Sequence, residues 1–209
     1  MYNAFMKYID LTHKTTTDIS LFPGTPKPEI TQVAFHDECG YNNYEIKTTM
    51  HVGTHMDGPN HMVKDGEKLV NLPVDRFIGK GHLIDVRGRE EVDVDALEGL
   101  TISKGDIVLL YSGLSDKYDD SDYYLSYPVL TEAFAKKMSE IGIKIIGLDF
   151  CSPDKEPYSI HPILLGGDVL IIENLTNLKS LIEVGDFKVI ALPAKFDADS
   201  APVRVVAEI

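Results

Sequence analysis

Apolar residues along the chain fall into short runs separated by Gly, Pro, Asn and Asp. Runs over 30–35, 44–49, 82–86, 107–111, 144–148, 169–172, 188–192 and 203–207 are rich in β-branched residues and mostly bounded by turn formers, which predicts a series of short strands. Several, such as Ile-Val-Leu-Leu-Tyr over 107–111, are apolar without alternation, the pattern of strands covered on both faces. One segment has the helical period instead. Phe134, Met138 and Ile141 stand at i, i+4 and i+7, Thr131 is placed to cap the first turn, and Gly142 can close the last in the left-handed conformation. A second, short helix is expected over 175–182. Helices intermixed with many strands predict an α/β or α+β domain.

Two stretches read as loops. Phe22-Pro23-Gly24-Thr25-Pro26-Lys27-Pro28 carries too many prolines to continue a helix or a central strand. The acidic, tyrosine-rich stretch 115–127 reads as a solvated surface loop, although Tyr123, Tyr124 and Tyr127 could line a pocket.

Composition narrows the function classes. The 209 residues are 44% apolar and 25% charged, ordinary for a globular chain, and too apolar for a solvated disordered one. A net charge of −13 argues against nucleic acid or an anionic membrane surface as a partner, because phosphate binding needs clustered Lys and Arg. No apolar run approaches the roughly 20 residues that span a bilayer. The opening residues lack the apolar core of a secretory signal, so the expected compartment is the cytoplasm. Cys39 and Cys151 form no C-x-x-C pair and are expected to be buried as small hydrophobes.

The chemistry concentrates in one segment, Thr-Thr-Met-His-Val-Gly-Thr-His-Met-Asp-Gly-Pro-Asn-His over 48–61. It holds His51, His55, Asp57 and His61. Two imidazoles and a carboxylate make a ligand set suited to Zn²⁺, Mn²⁺ or Fe²⁺. Crowding several titratable groups together is costly unless something pairs with them, and a cation does so. Gly53 and the Asp57-Gly58-Pro59 turn oppose a long helix, so a strand beside a tight loop or a single turn is expected, with glycine letting the backbone approach an ion. Downstream, His161 and Glu173 could join the set, for one ion of higher coordination or two ions sharing a carboxylate; Glu173 could equally be a solvated strand end. His61 could be a further ligand or a free imidazole that shuttles protons near neutrality. His13, His36 and His82 read as structural or surface residues. Asp149 and Asp154 could orient ligand imidazoles or simply end strands.

These residues carry a resemblance. His-Val-Gly-Thr-His-Met-Asp-Gly-Pro-Asn-His over 51–61 resembles the H-x-G-T-H-x-D-x-P-x-H signature of the Putative cyclase family, the metal-dependent hydrolases that include bacterial kynurenine formamidase. Ile9-Asp10-Leu11-Thr12-His13 is similar to the family's opening strand, and Phe22-Pro23-Gly24 to its W-P-G loop. The stretch from Gly147 to Asp154 is similar to its G-x-D-x-x-S-x-D run. His161-Pro162-Ile163-Leu164-Leu165, followed by Glu173-Asn174-Leu175, is similar to its H-x-x-L-L…E-N-L segment. The match covers essentially the whole chain in order.

The resemblance implies a single domain over 1–209 with a swivelling β/β/α fold, a mixed sheet with flanking helices, and a homodimer or larger homo-oligomer. It implies His51, His55, Asp57, His161 and Glu173 as ligands of one or two zinc or manganese ions, and His61 as the proton donor and acceptor. Where formamidases carry Trp, this chain has Phe22, which can still stack on an aryl ring but with less area and no N–H donor. The expected activity is hydrolysis of a C–N bond in a small amide, favouring an aryl formamide such as N-formylkynurenine from tryptophan catabolism. The attacking group would be water made acidic by the metal, with His61 as proton shuttle. The alternatives are an isatin-like lactam as substrate, a cyclase running dehydration, a non-catalytic metal-binding module, and an interaction protein whose histidines are incidental. No G-x-S-x-G elbow and no glycine-rich phosphate loop is present.

Overall fold

A computed structural model describes residues 7–209. The segment weighed above as a secretory signal begins with residues 1–6, which lie outside the described residues. In chain order the elements are β1 (Tyr8–Asp10), β2 (Glu29–Ala34), α1 (His36–Cys39), β3 (Asn43–Lys47), β4 (His55–Asp57), β5 (Ile78–Asp85), β6 (Glu91–Val92), β7 (Ile107–Tyr111), β8 (Val129–Leu130), α2 (Glu132–Ile141), β9 (Ile145–Leu148), α3 (Ile160–Gly166), β10 (Leu170–Glu173), β11 (Phe187–Pro193) and β12 (Ser200–Glu208).

The main sheet is mixed and closes on itself. β5, β7, β9 and β10 are parallel neighbours, whereas β4, β12 and β11 return antiparallel to join β10 back to β5. The result is a seven-strand barrel, with β1 attached as an eighth strand. β12 is long enough to take two partners on one edge: its first residues pair with β4 and its last with β1.

Alternation sorts the side chains into two cores. Ile107, Leu109 and Tyr111 of β7, Ile145 of β9, Leu170 and Ile172 of β10, Met56 of β4 and alternate residues of β11 and β12 meet inside the barrel. Val108, Leu110, Ile146 and Ile171 face outward, where Phe134, Ala135 and Met138 of α2 and Ile160, Leu164 and Leu165 of α3 cover them. Strands buried on both faces read as unbroken apolar runs for this reason. Burial of each such side chain contributes about 1.5–3 kcal/mol.

Gly147 is one of the tight points of the interior. A Cβ there would lie 2.7 Å from both Leu109 Cδ2 and Leu175 Cδ1. Gly147→Ala is expected to destabilise the fold by about 1–3 kcal/mol through overpacking, read as a lower urea midpoint with an unchanged slope.

α2 forms as its sequence predicts: Thr131 Oγ1 accepts from the Phe134 N–H, and Gly142 ends the helix at φ 77°. Two expectations need correction here. The helix expected over 175–182 is only a single 3-10 turn, Leu178–Leu181, because Asn177 adopts a left-handed φ of 58° and resets the chain. The 30–35 and 44–49 runs form β2 and β3 as expected, in a ribbon separate from the main sheet and exposed to solvent. Cys39, on α1 at the tip of that ribbon, is exposed, while Cys151 is buried as expected. Strands β1, β4, β6 and β8 are too short for a sequence period to reveal. Among the described residues no helix is long and apolar enough to cross a membrane.

Candidate metal centre

β4 is inserted between β10 and β12, and its three residues divide by alternation. Met56 enters the barrel, so His55 and Asp57 project from the outer face. The register then supplies neighbours: Glu173 lies opposite His55, and Ser200 lies opposite Asp57. Gly58 and Pro59 end the strand and start a 3-10 turn, Pro59–His61, that brings His61 back to the same side. His161 arrives from the first turn of α3. The Asp154 carboxylate tethers that turn by accepting the Ile160 and His161 N–H groups.

Two imidazoles are locked by their outer nitrogens. His55 Nδ1 donates to the Gly53 carbonyl at 2.9 Å, and His161 Nδ1 donates to Asp154 Oδ1 at 2.7 Å. Both therefore turn Nε2 inward. His55 Nε2 lies 3.5 Å from Asp57 Oδ1 and 3.5 Å from Glu173 Oε2. His161 Nε2 lies 3.5 Å from Glu173 Oε1 and 4.0 Å from Asp57 Oδ2. Each carboxylate thus shows one oxygen to His55 and the other to His161. His51 Nδ1 adds a third nitrogen, 3.0 Å from Asp57 Oδ1.

Apart from the 3.0 Å His51 contact, these separations exceed hydrogen-bond length, and all suit groups that share a cation, since ligands about 2.1 Å from one ion lie about 3–3.5 Å apart. His55 Nε2 and both Asp57 oxygens are buried with no hydrogen-bond partner among the described residues. With its proton on Nδ1, His55 offers a lone pair to oxygens that can only accept, and a cation satisfies all of them at once. The donor set therefore fits a divalent metal.

The electrostatics agree. Burial disfavours the charged form of His51, but Asp57 and Asp199 on either side outweigh it and push the ring up to about 9. Burial likewise opposes charge on His161, and Asp154 and Glu173 overcome it, pushing it up to about 10. Without a metal these rings hold protons, and a bound cation displaces them. His61 moves the other way: burial, with help from charged His51, holds it below the usual histidine range despite Asp57 and Asp199.

The cluster forms one end of a cavity of about 250 Å³ that Leu21, Phe22, Met62, Tyr124 and Tyr158 also line. Phe22 meets Tyr124 edge to face, with ring centroids 5.8 Å apart. The tyrosine-rich stretch is less exposed than its composition predicts. Tyr118, Tyr123 and Tyr127 are buried in the outer core, and only Tyr124 lines the cavity. Tyr124 and Tyr118 donate to the Ser20 carbonyl, which pins the Phe22 loop to this stretch.

All seven sequence-derived site residues line this one cavity. His61 keeps both roles open by position, because His51, Asp57 and His61 also bring ligand atoms within 4.8 Å of one another. Asp154 does orient the His161 imidazole, whereas Asp149 instead accepts from Ser112 and Gly113. Gly53 lines the cavity and adopts a φ of 67°, which favours glycine. His13 stacks on Tyr118, His82 pairs with Asp106 and His36 is exposed, all outside the site.

Sequence reasoning missed two residues. Asn174 donates to the same Gly53 carbonyl that holds His55, and itself accepts from the buried Tyr123 hydroxyl. Asp199 accepts from both His51 and His61 across 148 and 138 positions of sequence. Its only local sign was an acid in the run Phe196-Asp197-Ala198-Asp199, which resembles any solvated turn.

The family model described as Putative cyclase matches residues 9–155. A kynurenine formamidase of Bacillus mycoides (strain KBAB4) is 31% identical over 206 residues, covering 96% of each chain. A solved structure described as a predicted metal-dependent hydrolase from Bacillus stearothermophilus superposes with a TM-score of 0.80 at 26% identity, covering 98% of this chain and 99% of that one. Isatin hydrolase A from Labrenzia aggregata shares the fold, with a TM-score of 0.86 at 23% identity over 98% of this chain and 94% of that one.

Proposed function

The chain belongs to the Putative cyclase family, and from that premise we propose that it is a metal-dependent hydrolase of C–N bonds in small amides, with aryl formamides of the N-formylkynurenine kind as its favoured substrates. One observation carries the proposal. Lone-pair donors of His51, His55, Asp57, His161 and Glu173 converge at one end of a cavity whose other end has an aromatic wall. The division of the Asp57 and Glu173 oxygens between His55 and His161 supports room for two ions, and the nitrogen and oxygen donors suit zinc or manganese. When bound, such an ion supplies a Lewis acid for the amide carbonyl and makes water acidic near neutrality.

The chain's own residues do the rest. Phe22 and Tyr124 receive the planar ring of the substrate, and the cavity admits little beyond one small molecule. His61 takes the proton of the attacking water and returns it to the departing nitrogen, which would otherwise leave as a poor amide anion. Its depressed basicity favours the neutral, proton-accepting ring at pH 7. Asp154 and the Gly53 carbonyl keep the His161 and His55 rings from turning.

We extend the reading to three properties of the whole protein. The closed mixed sheet with its few helices supports the swivelling β/β/α architecture that the resemblance implies. Val33, Phe35, Tyr41, Tyr44 and Ile46 on the exposed ribbon support a homodimer or larger homo-oligomer. The unpaired cysteines support the cytoplasm.

The test is a substrate panel run on protein stripped of metal and reloaded with Zn²⁺ or Mn²⁺. Formylkynurenine and simple formanilides are expected to turn over after reloading and not before. Faster opening of an isatin-like lactam than of any formamide would move the substrate to the cyclic class. No turnover of any amide with the metal bound would leave only a metal-binding module.

A further inference from the structure

We infer that Asp199 is the positioning residue of this centre, a single carboxylate oxygen that sets the orientation and the tautomer of both His51 and His61. The inference rests on the amide-hydrolase reading and concerns a residue which that reading does not use. Asp199 Oδ2 lies 2.9 Å from His51 Nε2 and 3.1 Å from His61 Nδ1. The two rings lie side by side, with centroids 4.2 Å apart and planes tilted by 40°.

A carboxylate oxygen of this kind only accepts, so each ring must present an N–H to it. The proton on one imidazole nitrogen decides what the other can do. For His51 in its neutral form, the form that binds a cation, the consequence is a lone pair on Nδ1, the nitrogen that faces Asp57 Oδ1 at 3.0 Å. For His61 it is a lone pair on Nε2, the nitrogen left to receive a proton. Without the carboxylate, each ring is free to turn or to move its proton, and a donor then stands where an acceptor is needed.

The backbone holds this carboxylate in place. The Asp199 carbonyl accepts the Gly58 N–H at 3.0 Å, between Asp57 and the turn that carries His61. The next residue, Ser200, begins β12 in register with Asp57. Closure of the barrel thus brings Asp199 and the two histidines together. The neighbouring acid cannot substitute for it, because Asp197 pairs with Lys68.

The test compares the zinc-loaded wild type with Asp199→Ala and Asp199→Asn, and with each change combined with His61→Ala. Asn keeps the volume of Asp, so a loss shared by both variants is not a packing loss. Both are expected to lower kcat on a formanilide by about 10–100-fold, the usual cost of removing an outer partner of a metal centre, with KM nearly unchanged. Imidazole ¹⁵N shifts of zinc-loaded protein are expected to show His51 protonated on Nε2 and His61 on Nδ1, and to lose that pattern in both variants. In the His61→Ala background the loss of kcat is expected to shrink, since part of it passes through that ring. Wild-type kcat in Asp199→Ala, unchanged ring signals, or an equal loss with and without His61 would overturn the inference. Should His61→Ala itself leave kcat intact, the proton-shuttle reading falls, and the ring signals still decide the role of Asp199.

Discussion

Asp57→Ala is expected to remove turnover on aryl formamides and to strip the protein of its metal. Asp57 is the one side chain that faces His51, His55 and His161 together, and neither of its oxygens has a hydrogen-bond partner among the described residues. Loss of outer partners of a metal site typically costs about 10–100-fold in affinity, so loss of a shared ligand should exceed about 100-fold. Elemental analysis after dialysis is expected to give well under one ion per chain. The same site should announce itself in stability. Ligand at about 100 times its Kd adds about 2.7 kcal/mol to the folded state, which for a chain of this size is a rise of roughly 5–10 °C in Tm. Zinc or manganese should produce that rise in the stripped wild type and none in Asp57→Ala. An equal rise in both would place the ion elsewhere and remove the basis of the proposed chemistry.

His61→Ala is expected to retain metal and lose rate. Acid–base help of the kind assigned to His61 is worth about 10²–10⁴-fold, and the loss should fall on kcat rather than KM. The variant also decides between the two roles that position alone allows. A ligand role predicts lower metal content and a smaller thermal shift on reloading. A proton role predicts wild-type metal content with slow turnover. Since, among the described residues, the His61 ring bonds only to Asp199 and lies partly open to the cavity, its removal should leave the fold standing. Undiminished turnover would refute the assignment outright.

Much of this centre was legible before the fold was known, for a local reason. His51, His55, Asp57 and His61 occupy one strand and the turns beside it, and residue type alone says that three imidazoles and an acid crowded there need a cation or a proton partner. The buried strands were legible because seclusion on both faces leaves an unbroken apolar run, as in β7. His161 and Glu173 were only weakly marked before the resemblance, because a lone acid at a strand end looks the same whether it faces water or a neighbouring strand. The 30–35 and 44–49 runs were legible as strands but not as an exposed ribbon, because β-branched runs report strand formation and not what lies against them. The 3-10 turn at Leu178–Leu181 was misread as a helix because the left-handed Asn177 is a tertiary accommodation that helical periodicity does not carry.

What the sequence determined by itself is the set of donors, the strands that could be buried, and the cap and stop of α2. What the tertiary structure decided is convergence. β4 carries too few residues to hold a place by propensity, and it lies between β10 and β12 only because those strands bury Met56 and pair with its backbone. That register puts Glu173 opposite His55 and brings Asp199 to His51 and His61. Contacts between segments more than a hundred residues apart depend on how the barrel closes, and that is a property of packing which no local pattern encodes.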